Sequence, residues 1–423
     1  MISDIAVVIM GQSPKKTDVN EVGDGYPLLN GPTEFTDRHP QPVQFTTNGK
    51  RFSDSGDILF CVRGSTTGRM NYADQPYAIG RGIAAIRGKD GYPTPFVRAV
   101  IENNLDRLLI AATGSTFPNV SKSLLNEFVV TVITPGEAEK VNEVIISIED
   151  KIHLNQKTNK TLEAMAQAIF KSWFVDYEPV RAKMRAKTEG RDPNRAAMAA
   201  IAGVDLEQDW DEIEATLDQK LSRMREAQRQ QLHETAKLFP DELVDSELGE
   251  VPKGWGVTSA EKVLKRFKVP KRIKKDEVEE TGKIVVLEQG EGIIMGYHNG
   301  EAGFDASPDN PYFIFGDHTC ITHLTIEPFD VAPNVIPLQG EEFNSYWTYY
   351  AVKDLQQFQE YRRHWSELKV KVLITPNNDI DQVFADAIKP LIMQINKNRN
   401  QNLTLSQLRD TLLPKLISGE VGL

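Results

Sequence analysis

The sequence predicts an α+β chain in which two β-rich domains are separated by two long antiparallel coiled-coil helices, the whole related by a pseudo-two-fold internal duplication. Three observations predict it. Between Val141 and Trp173 the residues Ile145, Ile152, Asn159, Ala166 and Trp173 fall on one heptad file, and Val141, Ile148, Asn155, Leu162 and Ile169 on a second. The same two files return 243 residues on, as Ile388, Ile395, Asn402, Arg409, Leu416 and Phe384, Leu391, Asn398, Leu405, Leu412, with Asn155 becoming Asn398. Each seam also follows a stretch of short apolar runs broken by turns, and each is entered through a Thr-Pro pair, Thr134-Pro135 and Thr375-Pro376.

Asparagine in an apolar seam is costly unless another polar side chain faces it. Asparagine at matching depth in both copies therefore predicts that each helix is the other's partner, Ile152, Asn155, Asn159 and Leu162 meeting Ile395, Asn398, Asn402 and Leu405. At about 1.5 Å per residue, a helix from near Glu137 to Phe174 is roughly 55 Å long. A two-fold relation would run the helices antiparallel and place one domain at each end.

The chain divides in order into a first β-rich domain (1–136), a helix (137–180), a helical extension and linker (181–250), a second β-rich domain (251–377) and a C-terminal helix (378–423). In the first domain, strands are expected at Asp57 to Arg63, Gly82 to Ile86 and Glu127 to Ile133, with helices at Thr94 to Asn103 and Ser121 to Asn126. Residues 206–237, rich in Gln, Glu and Arg, read equally as a surface helix, a second hairpin arm or a solvated spacer. Leu238 to Trp255, broken by glycine and proline, reads as a linker. In the second domain, strands are expected at Lys283 to Glu288, Tyr312 to Phe315, Thr319 to Ile326 and Leu368 to Ile374, and a helix at Ser345 to Phe358.

With 423 residues and 40% hydrophobic content, the chain is long enough for two to four globular domains. No apolar run approaches a membrane span and the N-terminus lacks the basic flank of a signal peptide, so a cytoplasmic protein without membrane contact is expected. Cys61 and Cys320 are too few for a disulfide framework or a four-ligand zinc site, and both sit in apolar runs that predict buried thiols. The net charge of −11 argues against a generic nucleic-acid binder. Its placement is uneven, however: residues 1–135 carry 13 basic and 13 acidic side chains, 136–250 carry 16 and 24, and 251–423 carry 20 and 23. The two ends can still present basic faces.

Several strings resemble the DNA-specificity subunit of Type I restriction-modification systems. They are IMGQSP from Ile9, GDILFCVR from Gly56, IGRGIAAIR from Ile79, LEAMAQAIFKSWFVDYEPV from Leu162, SELGEVPKGW from Ser246 and LRDTLLPKLISGEV from Leu408. The resemblance covers almost the whole chain and is most specific in the helix, linker and C-terminal strings. It implies two target recognition domains, each gripping one half of a split double-stranded DNA site, with the helices as ruler for the spacer. It also implies docking of two modification subunits that methylate adenine with S-adenosylmethionine, and of restriction subunits that use ATP and Mg. No cofactor or catalytic residue is implied in this chain, and the setting is phage defence. One departure is the start: the second domain is preceded by VPKGWGV, whereas the first begins almost at once with Ile2 to Ala6.

Motifs for chemistry of its own are weak. An Asn-Pro-Pro-Tyr-like loop with a glycine-rich cofactor loop is absent from the sequence, and GSTTGR from Gly64 lacks the lysine and spacing of a phosphate loop. Asp317, His318, Cys320 and His323 resemble metal ligands, but on a strand His323 would face away from His318 and Cys320, so no metal is expected. Glu367 to Lys369 has a nuclease-like Glu-x-Lys that reads more simply as an exposed strand.

Candidate DNA contacts in the first domain are Gln12, Lys50, Arg51, Arg63, Ser65, Thr66, Arg69, Arg81, Ser115, Thr116, Asn119 and Lys122, where arginines surround small hydroxyl residues able to reach phosphates. In the second they are Lys268, Lys271, Arg272, Lys274 and Lys275 of a basic run, and Arg362, Arg363 and His364 of YRRHW. An ordinary polar turn, a solvated charged face and a helix end packed on a sheet are the bland readings of the same residues. Exposed positions around Lys171 to Tyr177 are the expected dock for a methyltransferase subunit. The function expected is a non-catalytic DNA-specificity subunit recognising a bipartite target. The rivals are a scaffold or decoy that binds the partner subunits but no DNA, and a stand-alone methyltransferase or nuclease.

Overall fold

The computed structural model describes every residue except 113–117, 291, 378 and 423. It forms two compact units, residues 1–155 with 400–423, and residues 156–399.

In the first unit, four antiparallel strands lie in the order Ala6–Met10, Ile83–Gly88, Ile58–Cys61, Met70–Tyr72. The central strand is apolar at every position because both its faces are covered. Ile58 and Phe60 pack with Phe96, Val97 and Val100 of the helix Thr94–Asn103, while Leu59 and Cys61 pack with Leu29, Phe35 and Ile79. Each fully buried side chain of this size contributes roughly 1.5–3 kcal/mol. The first of these cores continues into Ala138, Val141 and Ile145 of the long helix Pro135–Phe174, and into Leu413, Leu416 and Ile417 of the long helix Ile380–Ser418. A five-stranded sheet of short strands, ordered Val19–Asn20, Gln44–Thr46, Tyr26–Leu29, Tyr77–Ile79, Phe52–Ser53, completes the unit.

The second unit repeats the four-stranded pattern as Leu264–Arg266, Val335–Gly340, Tyr312–Gly316, Thr322–Thr325, again antiparallel throughout. The registers match: Ala6 pairs with Gly88, and Leu264 with Gly340. In both, the glycine N–H donates at 3.1 Å to a hydroxyl that opens the following helix, Thr94 in one and Ser345 in the other. In both, a Cβ would lie 2.0 Å from a carbonyl oxygen, of Tyr92 or of Phe343, so only glycine lets the chain turn so tightly onto the helix.

Within each unit the long helices pair antiparallel. In the first, Asn155 donates to Asn402 at 2.8 Å and to Gln401 at 3.0 Å. In the second, Asn398 donates to Asn159 at 2.8 Å, Asn159 donates to the Ile395 carbonyl at 3.3 Å, and Phe170, Trp173 and Phe174 pack edge-on against Phe384. The expected asparagine layers are thus cross-paired. Both cysteines are buried thiols, and among the described residues no helix is long and apolar enough to cross a membrane.

Several expected elements differ. Residues 128–134 form no strand: they find no ladder partner among the described residues, and single donors reach their carbonyls, Ile2 N–H at Phe128 and the Tyr92 hydroxyl at Ile133. Their counterpart, Val372–Thr375, does pair, with Gly256–Ser259. Glu367 to Lys369 belongs to the short helix Trp365–Lys369 rather than to an exposed strand. The expected linker at 238–255 contains the hairpin Leu243–Ser246 with Gly249–Pro252. The residues before it are not a solvated spacer. Helices Glu178–Thr188, Pro193–Ile201, Trp210–Ser222 and Glu226–Leu238 enclose a core of Ala186, Ala197, Trp210, Ile213 and Leu217, and Asp192 and Asp209 cap two of their N-termini.

Candidate nucleic-acid interface

In an antiparallel sheet, the ends of two strands and the starts of their neighbours meet on one edge. In the first unit that edge gathers Gln12, Arg63, Arg69 and Arg81. Val62 N–H donates to Gly82 O at 2.9 Å, Cys61 N–H to Arg69 O at 2.9 Å, and Gly11 N–H to Ile83 O at 2.9 Å, which fixes the backbone from which all four side chains leave. The connecting loop is braced by Thr67, whose hydroxyl lies 2.8 Å from Gly64 O and 2.9 Å from Pro118 O. Gly64 and Gly68, both at φ +94°, supply the left-handed turns, with Ser65 exposed and Thr66 half-buried between them. Arg63, Arg69 and Arg81 are exposed and make no ion pair among the described residues. Asn119 bridges Arg63 through the backbone, and Lys122 is exposed at the start of the helix Lys122–Glu127. Lys50 and Arg51 are exposed on a separate turn, where Lys50 donates to Asn48 at 2.7 Å. Ser115 and Thr116 lie outside the described residues.

The same edge in the second unit carries Lys268, Asp317 and His318. Arg266, Lys268 and Arg272 line a cavity of about 460 Å³ whose floor includes Ile336 and Pro337. Arg266 lies over the Trp365 ring at 5.3 Å, a cation–π contact that holds its guanidinium at the rim. Trp365 N–H donates to the Asp317 carboxylate at 3.0 Å, and exposed Arg363 approaches that carboxylate at 3.8 Å. Tyr361, 74% exposed, sits edge-on over His318 at 4.7 Å. Lys268, Lys274 and Lys275 are exposed.

Four expected contacts are placed otherwise. His364 is 0% exposed and bonds Glu367 at 2.9 Å and the Glu360 carbonyl at 3.0 Å, so it cannot reach DNA. Arg272 donates to the carbonyls of Ala332 at 3.0 Å and Val335 at 2.8 Å, a structural use of its guanidinium. Burial, then the charge of Arg266, holds its pKa below the usual arginine range. Lys271 pairs with Glu277 at 2.6 Å, and Arg362 pairs with Glu367 at 2.7 Å and Glu360 at 3.1 Å. The premise that His318 and Cys320 share a strand also falls: the strand starts at Thr322, and Cys320 stands in a left-handed turn at φ +59°. At the expected dock, Lys171 and Val175 are exposed, whereas Trp173, Phe174 and Tyr177 are buried in the core.

The fold is that of a duplicated protein whose two β-rich heads each carry exposed cations at one edge of the sheet. Residues 1–164 match the family model described as Type I restriction modification DNA specificity domain. The chain is 23% identical over 409 residues to the Type I restriction enzyme HindI specificity subunit of Haemophilus influenzae, covering 88% of each. It is 25% identical over 393 residues to the Type I restriction enzyme MjaIX specificity subunit of Methanocaldococcus jannaschii, covering 88% of this chain and 79% of that one. A crystal structure of the Type I restriction-modification S subunit from M. genitalium aligns with 98% of this chain and 94% of its own, at 14% identity and a TM-score of 0.48. By sequence, residues 1–164 match that DNA specificity domain, and most of the chain is similar to Type I restriction enzyme specificity subunits.

Proposed function

We propose that this chain is the DNA sequence-specificity subunit of a Type I restriction-modification complex, each β-rich head reading one half of a bipartite duplex site. One observation carries it: the same edge of the duplicated sheet bears exposed cations in both units, Arg63, Arg69 and Arg81 in one, Lys268 and Arg363 in the other. Cations on phosphates supply affinity, and a few side chains in the grooves supply specificity. The partners in this reading are two modification subunits and the restriction subunits. S-adenosylmethionine belongs to the former, ATP and Mg to the latter, and the target adenines flip into the modification subunit. The chain itself is assigned no catalytic step. A gel shift of the complex with its modification subunits on random-sequence and target duplexes, at low and high salt, tests this. Salt-sensitive binding to both, with a salt-resistant excess on the target, is expected. No binding to either duplex would leave a scaffold or decoy.

A further inference from the structure

The matched registers allow the two heads to be compared position by position. With Gly88 equivalent to Gly340, the pairs Ile58↔Ile86 and Phe313↔Leu338 make Ile58 equivalent to Phe313, and hence Val62 to Asp317 and Arg63 to His318. Backbone hydrogen bonds outside the strands agree. Val62 N–H donates to Gly82 O at 2.9 Å and Asp317 N–H to Asn334 O at 2.9 Å; Val120 N–H donates to Val62 O at 2.8 Å and His364 N–H to Asp317 O at 2.7 Å. The same scaffold therefore delivers Arg63 in one head and His318 in the other, and next to them Asn119 and Arg363.

Both side chains hold hydrogen-bonding groups without a partner among the described residues, on backbone fixed by the sheet. Arg63 is exposed without an ion pair among the described residues, on a loop that Thr67 holds in place. His318 has neither ring nitrogen hydrogen-bonded among the described residues, although both are shielded from solvent. A shielded polar atom without a partner is costly, and the edge-on contact with Tyr361 calls for an aromatic ring rather than for ring nitrogens. Its cover is Tyr361, an exposed side chain that can rotate away, beside exposed Arg363.

We infer that Arg63 and His318 are the matched specificity-determining positions of the two heads, each hydrogen-bonding one base edge, with Tyr361 covering His318 until DNA displaces it. The inference rests on the proposed function and goes beyond it by naming the readers. A directional donor set on a fixed backbone suits a base edge; the flanking lysines suit phosphates. Each head would thus change its preferred base by changing one side chain on an unchanged frame.

The test uses the full chain in complex with its modification subunits and selects bound duplexes from a pool randomised in both half-sites. The variants are Arg63→Ala, at an exposed position, and His318→Phe, which keeps the ring under Tyr361 and removes the nitrogens. Each variant should lose about 5- to 150-fold of preference at one position, in opposite half-sites. Affinity for random duplexes and its salt slope should change little. Full wild-type preference with His318→Phe, or equal losses on random and selected duplexes, would overturn the inference while leaving the proposed function standing. A wild-type complex that selects no sequence at all would overturn both.

Discussion

Asn398 donates its amide to Asn159 across the helix pair at 2.8 Å, and its own Oδ1 accepts from Gln394 at 2.7 Å. Asn398 is buried, so this layer is satisfied only while both asparagines are present. Asn159→Leu alone should cost about 1–3 kcal/mol in chemical denaturation, because it strands a buried amide. The double variant Asn159→Leu/Asn398→Leu should recover much of that loss. Its non-additivity, read in a double-mutant cycle, measures the pair. Additive losses would show that the two amides do not depend on each other.

Lys268 and Arg69 are exposed on equivalent sheet edges and make no ion pair among the described residues. If they meet phosphates, Lys268→Ala and Arg69→Ala should each flatten the slope of log affinity against log salt by about 0.9. The measurement is a salt titration of binding to random-sequence DNA, and unchanged slopes would place both residues outside the interface.

Arg272 should behave differently from its basic neighbours. Its guanidinium is committed to the carbonyls of Ala332 and Val335, both residues buried. Arg272→Ala should therefore lower stability by roughly 1–3 kcal/mol and leave the salt slope unchanged. Thermal unfolding alongside the salt titration separates the two effects.

His323 lines a cavity with Glu163, Tyr349, Lys353 and Arg399 in the second unit. Desolvation, helped by the charges of Arg399 and Lys353, lowers its pKa to about 3. The unfolded chain takes up a proton near pH 6.5, which the folded chain refuses. Stability carried by this group is thus present above that pH and lost as pH falls toward 3, by at most about 1.4 kcal/mol per pH unit. His323→Phe should flatten the acid limb of a stability–pH curve, and an unaltered limb would assign the loss to the carboxylates.

The helices and their asparagine layers were legible because a heptad file is local and repeats unchanged. Asn155, Asn159, Asn398 and Asn402 needed no knowledge of the heads. The strand-by-strand correspondence of the heads was hidden, because IAAIRG and VIPLQG share almost nothing but the final glycine that the turn demands. Charge runs misled for a related reason. KRIKK shows where cations occur, while Arg272 turning inward to two carbonyls is a tertiary fact, as is the burial of His364 within YRRHW. A short apolar run placed Glu127 to Ile133 in a sheet, but a strand also requires a partner, and none lies beside it among the described residues.

The most direct test of the two-headed reading is methylome sequencing of a host carrying this chain with its proposed modification subunits, before and after residues 1–135 are exchanged for those of a Type I restriction enzyme specificity subunit. One half of the methylated bipartite motif should change while the other half is kept. A motif unchanged in both halves would contradict that reading.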